Sequence, residues 1–281
     1  MKNLIIFFIL LSLIFSRLCA KELNQYEMPD TQVVPIKNSE TGAQYELYIK
    51  LPKDYSKKKK VTYPVIYFTD AAWSIEILSA ATSYQLKDVI LIGISWQKNI
   101  SDELKKVGEY VSRNRDYTIR ESNRPDIQAK YQLGQAKQHT TFIRKDVITY
   151  VEKNYRTQPD NRTYFGYSLG GQFGAFVLLY KPDTFKNYII GSPEISGEVS
   201  EFSSLAAKTR KKLNANLFVS YGSLETDLAK HANELIRMLN SRNDDSLSIS
   251  QMVIDGNHST AFPLTGVKSI TWLSNLIKQK D

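Results

Sequence analysis

Hydrophobic and polar positions along this chain switch repeatedly between two periods. Thr31 to Lys37 and Tyr45 to Leu51 alternate in strand fashion, which predicts an antiparallel hairpin at the start of the domain. Pro64-Val-Ile-Tyr-Phe-Thr69 and Val89-Ile-Leu-Ile-Gly-Ile94 are short, nearly continuous apolar runs, the pattern of parallel strands buried on both faces. Thr163–Gly166, Tyr188–Gly191, Leu217–Tyr221 and Ser250–Ile254 read as further strands. Between them the period lengthens. Phe142–Tyr155, the segment carrying Leu169, Phe173, Phe176, Val177 and Tyr180, Leu228–Leu239 and Leu264–Ile277 all have helical spacing. Residues 97 to 138 are polar and weakly periodic, an irregular excursion of the kind that often faces substrate. Strands alternating with helices predict an α/β fold with a mostly parallel central sheet and helices on both faces.

The first 20 residues stand apart from this pattern. Lys2 precedes an apolar run from Leu4 to Phe15, and Ala20 is a small residue at a cleavage position. These features predict a signal peptide over 1–20, removed on export, and a single domain over 21–281. The run is shorter than the roughly 20 residues a membrane span needs. The single cysteine of the chain is Cys19, so the processed protein has no thiol for disulfides, zinc ligation or catalysis. The length of 281 residues suits one large domain, and 42% hydrophobic content excludes disorder.

Formal charge changes the picture little. The whole chain carries +8, and without Lys2 and Arg17 it keeps 35 Lys/Arg against 29 Asp/Glu. The run Lys57–Lys60 is a solvated loop before a strand, not a nucleic-acid groove. Arg113, Arg115, Arg120 and Arg124 are concentrated in the excursion, where they would attract an anionic substrate.

The chemistry centres on Gly166-Tyr-Ser-Leu-Gly170, a G-x-S-x-G sequence between a strand and an amphipathic helix. A serine at so tight a turn sits in strained geometry with its Oγ exposed, and the following helix directs N–H groups at developing negative charge. Ser168 is therefore the candidate nucleophile. Of three histidines, His258 follows the last strand, His139 precedes Ser168 and His231 falls inside a helix, so His258 is the candidate base, carried on a loop. The acid should follow the strand Leu217–Tyr221. Glu225 is favoured because it lies on the turn itself, while Asp227 suits a helix N-cap and Asp255 is too near His258 in the chain. The oxyanion donors are assigned to the N–H of Leu169 and that of Ala72, with Ala71 close behind. Trp73 and Trp96 each follow the C-terminal end of a predicted strand and are candidates to line a substrate pocket.

These segments together resemble the esterases of the α/β-hydrolase superfamily that include enterobactin-type trilactone esterases. The resemblance runs from about Val33 onward and is carried by Tyr63–Asp70, Arg115-Asp-Tyr-Thr118, Phe142–Arg156, Gly166–Gly171, Gly191-Ser-Pro193, Tyr221–Glu225 and Asn257-His-Ser259. It implies an esterase with no obligatory metal or organic cofactor, nucleophile at Ser168, histidine at His258 and an acid at Glu225. Arg115 and Asp116, within the resembling segment, would buttress the pocket or meet a substrate carboxylate. This chain has Asp70-Ala71 where the family usually has Asp-Gly, and Glu194–Glu198 replaces a tryptophan-rich stretch. The expected activity is that of an exported serine carboxylic-ester hydrolase acting on a small-molecule ester, bulky or siderophore-like, in the periplasm or outside the cell. Nucleic acid is not expected as a partner, nor is stable membrane insertion after signal removal. An acyltransferase and a catalytically silent binding protein share the fold; intact Ser168 and His258 argue against the silent form.

Overall fold

The computed structural model describes residues 27–209 and 211–278; the proposed signal peptide at 1–20 lies outside them. Eight strands form one sheet in the order β1-β2-β4-β3-β5-β6-β7-β8. They are β1 (Thr31–Lys37), β2 (Gln44–Lys50), β3 (Tyr63–Phe68), β4 (Ile90–Ile94), β5 (Thr157–Tyr167), β6 (Asn187–Gly191), β7 (Asn216–Gly222) and β8 (Ser248–Ile254). The first two pair antiparallel, Thr31 opposite Lys50, as their alternation predicts, and β2 joins β4 antiparallel. All other pairs are parallel.

The central parallel strands β3, β4, β6 and β7 and the second half of β5 are buried on both faces, and their side chains divide between two cores. Val65 and Tyr67 of β3 enter one core with Ile90 and Ile92 of β4. Ile66 and Phe68 enter the other with Leu91, Phe165, Ile189 and Phe218. This two-sided burial explains why the strands read as continuous apolar runs rather than alternating ones. Each large side chain so buried contributes about 1.5–3 kcal/mol.

The helices are α1 (Ala71–Gln85), α2 (Asp102–Lys105), α3 (Ser112–Tyr117), α4 (Pro125–Tyr131), α5 (Ala136–Phe142), α6 (Thr149–Asn154), α7 (Leu169–Tyr180), α8 (Val199–Lys208), α9 (Thr226–Asn240) and α10 (His258–Lys278). A π-helical stretch, Ile143–Ile148, joins α5 to α6. Ile75 and Leu78 of α1 and Ile270 and Leu273 of α10 cover one sheet face. Buried side chains of α5 to α9, such as Phe142, Phe173, Phe202 and Leu235, cover the other.

Two expectations change. The excursion over 97–138 is not irregular throughout: it folds into the short helices α2 to α4 and the start of α5. His258 stands on no loop but is the first residue of α10, six residues before the predicted helix start. The cause is local. Asn257 Oδ1 accepts from the N–H groups of Ser259 (3.0 Å) and Thr260 (3.1 Å), the hydrogen bonds of a helix N-cap.

Candidate active site

Strand β5 runs into α7 through Ser168, whose backbone is held at φ 57°, ψ −120°. That conformation is costly for a residue with a Cβ and persists only where its surroundings enforce it. Here the Ser168 N–H donates to the carbonyl of Gly191 (2.9 Å), while the Ser168 carbonyl accepts from Gln172 N (2.9 Å). The flanking glycines are steric requirements. A Cβ on Gly166 would collide with the Gly170 carbonyl, and one on Gly170 would lie 2.6 Å from Thr69 Oγ1 and 3.2 Å from Asp70 Oδ2. The start of α7 is thus pressed against the turn between β3 and α1. Tyr164 ties the two together, its hydroxyl donating to the Gly170 carbonyl (2.7 Å) and lying 3.0 Å from Thr69 Oγ1.

Two helix N-termini therefore meet at Ser168. Leu169 is the first residue of α7, and Ala71 and Ala72 open α1 behind Asp70, which takes a left-handed backbone (φ 54°). First-turn N–H groups have no intrahelical acceptor, so both helices direct free donors toward the serine's surroundings.

His258, at the start of α10, meets Glu225 from the turn between β7 and α9. Glu225 ends the turn after β7, and its Oε1 lies 2.5 Å from His258 Nδ1. With the carboxylate oxygen as the acceptor, Nδ1 is the donor of this bond. Glu225 Oε2 accepts from Gly222 N (2.5 Å) and Ser192 Oγ (2.7 Å). The Glu225 side chain is buried, whereas His258 is 43% exposed and borders the cleft. Asp227 is placed differently: it is exposed and ion-paired to Lys230 at 2.8 Å, which holds its carboxyl below the usual range. Asp255 accepts from Ser223 Oγ (3.1 Å).

Ser168 and His258 line one cleft of about 300 Å³ together with Asp70, Trp73, Ser74, Arg113, Tyr167, Ser259 and Phe262. Arg113 holds Asp70 through two hydrogen bonds, Nε to Oδ1 and Nη2 to Oδ2, both 2.9 Å. Its guanidinium lies 5.2 Å from the centre of the Trp73 ring and 5.7 Å from that of Tyr117. Burial alone would lower the Arg113 pKa, but the Asp70 carboxylate outweighs it and raises it. Trp73, which lines the cleft, is 45% exposed, and Tyr110, 43% exposed, packs against it with ring centres 5.7 Å apart. Larger hollows exist, one of about 770 Å³ bordered by Met28, Lys50, Glu76, Thr82 and Ser83, but the Thr82 and Ser83 hydroxyls there donate to backbone carbonyls of α1.

Residues 38–245 match the model of the "Putative esterase" family. The chain belongs to this esterase family. It is 27% identical over 239 residues to the ferri-bacillibactin esterase BesA of Bacillus subtilis (strain 168), covering 78% of this chain and 79% of that one. Among solved structures it resembles the BES protein from Bacillus cereus, with TM-score 0.73 and 24% identity over 90% of this chain and 98% of that chain. It also resembles the siderophore hydrolase EstA from Aspergillus nidulans, with TM-score 0.69 and 19% identity over 91% and 99% of the two chains. The protein is an esterase with the α/β-hydrolase fold.

Within this esterase, several residues singled out in the sequence stand away from the cleft. Trp96 lies behind Trp73, ring centres 4.7 Å apart, and its Nε1 donates to Asp70 Oδ1 (2.7 Å). It supports the Asp70 turn and does not border the cleft. Arg115 points away: it binds Asp116 (2.7 Å) and the Tyr45 hydroxyl (3.2 Å) and borders a separate polar hollow of about 490 Å³. The physical reason is phase. Residues two apart on a helix point to different sides, so α3 turns Arg113 to the serine and Arg115 away from it. Ala72 contributes no side chain to the cleft, only its place in the first turn of α1. His139 is buried, and burial lowers its pKa. His231 lies 3.9 Å from Glu194 Oε1. Glu198 also misses the cleft, accepting instead from the N–H groups of Ile119 (2.7 Å) and Arg120 (2.9 Å) and from Gln172 Nε2 (2.7 Å). Arg113, expected among the excursion's arginines to attract an anionic substrate, borders the cleft but is bound to Asp70, while Ser192 and Tyr167 carried no local signal as site residues.

Proposed function

We propose that this esterase is a serine hydrolase in which Ser168 is the nucleophile, His258 the general base and Glu225 the residue that orients the imidazole. One observation carries the reading: a strained serine between β5 and α7 shares a cleft with a histidine whose far nitrogen is held by a buried carboxylate. The Ser168 Oγ attacks the ester carbonyl carbon, and its proton passes to His258 Nε2. The carbonyl oxygen takes the negative charge and is met by the N–H of Leu169 and by a first-turn N–H of α1, that of Ala72 or Ala71. The carbonyl re-forms, the C–O bond to the alcohol breaks, and the alcohol leaves with the proton from His258. Water, deprotonated by the same imidazole, then releases the acid and restores Ser168.

The substrate is a small-molecule ester, and the names of the relatives favour one of siderophore type. The exposed Trp73 in the cleft, with the Tyr110 ring beside it, suits a bulky, partly aromatic group. Export follows from the apolar N-terminal run, with processing near residue 20 and one catalytic domain thereafter. Among the described residues no helix is long and apolar enough to cross a membrane. A fluorophosphonate tests the mechanism. Peptide mapping should find the adduct on Ser168; an adduct on another residue, or full turnover after labelling, would refute it.

A further inference from the structure

Ser192 follows β6 and is fully buried. Its backbone sits at φ 39°, a left-handed conformation that favours glycine over any residue with a Cβ. A hydroxyl placed at a position better suited to glycine calls for a use, and its neighbours supply one. Ser192 Oγ lies 2.7 Å from Glu225 Oε2 and 3.0 Å from the Tyr167 hydroxyl. The Tyr167 hydroxyl lies 2.7 Å from the His258 carbonyl oxygen, to which it donates. Burial pushes the Tyr167 pKa up, so the phenol keeps its proton. With that proton committed to His258, the single Ser192 proton has two acceptors within reach, the Tyr167 oxygen and Glu225 Oε2, and the charged carboxylate at the shorter distance is the stronger.

The consequence is geometric. A glutamate side chain has three rotors, and a carboxylate held at one oxygen alone can swing. Ser192 Oγ and Gly222 N both fasten Oε2, so Oε1 faces His258 Nδ1. Tyr167 fixes the other end of the same unit, holding the His258 backbone while its ring lies 5.0 Å from the imidazole. We propose that Ser192 is a positioning residue of the hydrolytic reaction, acting through Glu225, with the Tyr167 hydroxyl as its counterpart on His258. This rests on the serine-hydrolase reading above.

The test is steady-state hydrolysis of p-nitrophenyl butyrate, with active sites counted by fluorophosphonate titration. Ser192→Gly removes the hydroxyl and relieves the left-handed backbone, so it should melt no lower than Ser192→Ala. Both should lower kcat about 10-fold, with KM within about twofold of wild type, the size expected for one hydrogen bond to a charged group. Tyr167→Phe keeps the ring and should lower kcat about threefold. In a Glu225→Ala background, adding Ser192→Gly should change kcat by less than about twofold, because the residue it acts through is gone. A Ser192→Gly enzyme with wild-type kcat, or an equal loss with and without Glu225, would overturn the proposal. Ser168→Ala, assayed alongside, separates the two claims. If it is inactive while Ser192→Gly is unimpaired, the positioning role alone fails; if it keeps full activity, the serine-hydrolase reading fails.

Discussion

Two clusters in this molecule contain a histidine, a carboxylate and a tyrosine, and their differences show what a working site requires. In one, His258 Nδ1 lies 2.5 Å from Glu225 Oε1, and the ring stands at the edge of an open cleft beside a strained serine. In the other, His139 lies 3.9 Å from Asp116 Oδ2 and is buried among Tyr45, Tyr117, Phe142 and Phe173. Asp116 is already committed, accepting from Tyr45 (2.9 Å) and Arg115 (2.7 Å). Burial lowers the His139 pKa and keeps the ring neutral. Residue types alone do not separate the clusters. The place of the ring at an open cleft, the serine that shares that cleft and a carboxylate oxygen given over to the imidazole do.

The sharpest way to break this comparison is to remove one imidazole at a time. His258→Ala and Ser168→Ala should each lower kcat by about 10⁴-fold or more in ester hydrolysis. His139→Phe should retain wild-type kcat per titrated active site. The opposite ranking would place the chemistry in the wrong cluster. Next in size, Glu225→Gln should fold normally and lose about 100-fold in kcat, while Asp227→Asn stays within about twofold. A greater loss in Asp227→Asn would transfer the orienting role to the exposed acid.

The buried cluster has its own signature, in stability rather than rate. Because the folded pKa of His139 is depressed, the unfolded chain takes up a proton below about pH 6.5 that the folded chain refuses. Its contribution therefore favours the folded state above that pH and is lost as pH falls toward the folded value. Denaturant melts from pH 7 to 5 should show His139→Phe lacking up to about 1.4 kcal/mol per pH unit of this decline. Parallel wild-type and variant curves would mean that the ring titrates normally in the fold.

Salt should have the smallest effect. The arginines of the excursion are largely neutralised in place: Arg113 pairs with Asp70, Arg115 with Asp116 and Arg124 with Asp126. Raising ionic strength from 50 to 500 mM should change kcat/KM for an anionic ester by no more than about twofold relative to a neutral one. A steep fall would show that steering by these guanidinium groups survives their pairing.

What the sequence determined by itself was local. The strand, the G-x-S-x-G turn and the helix after it are consecutive, so the tight turn at Ser168 is written in neighbouring residues, although Gly191 and the Thr69–Asp70 turn hold it from elsewhere in the chain. The buried strands were legible because two-sided burial leaves an uninterrupted apolar run, and His258 because only three histidines compete and chain order ranks them. Helix α1 was missed. Its apolar and small residues, Ala71, Ala72, Trp73, Ile75, Ile77, Leu78, Ala80 and Ala81, are not confined to one face, and they obscure the helical period. Only the tertiary structure decided among groups that are close in sequence but diverge in space. Glu225 and Asp227 are two residues apart at a helix start, yet one turns under His258 and the other into solvent. Arg113 and Arg115 diverge in the same way on a helix whose phase the polar excursion did not reveal. Ser192, Tyr167 and Glu225 come from three separate strand ends, and only the parallel sheet, which brings β5, β6 and β7 side by side, places their oxygens within hydrogen-bonding distance.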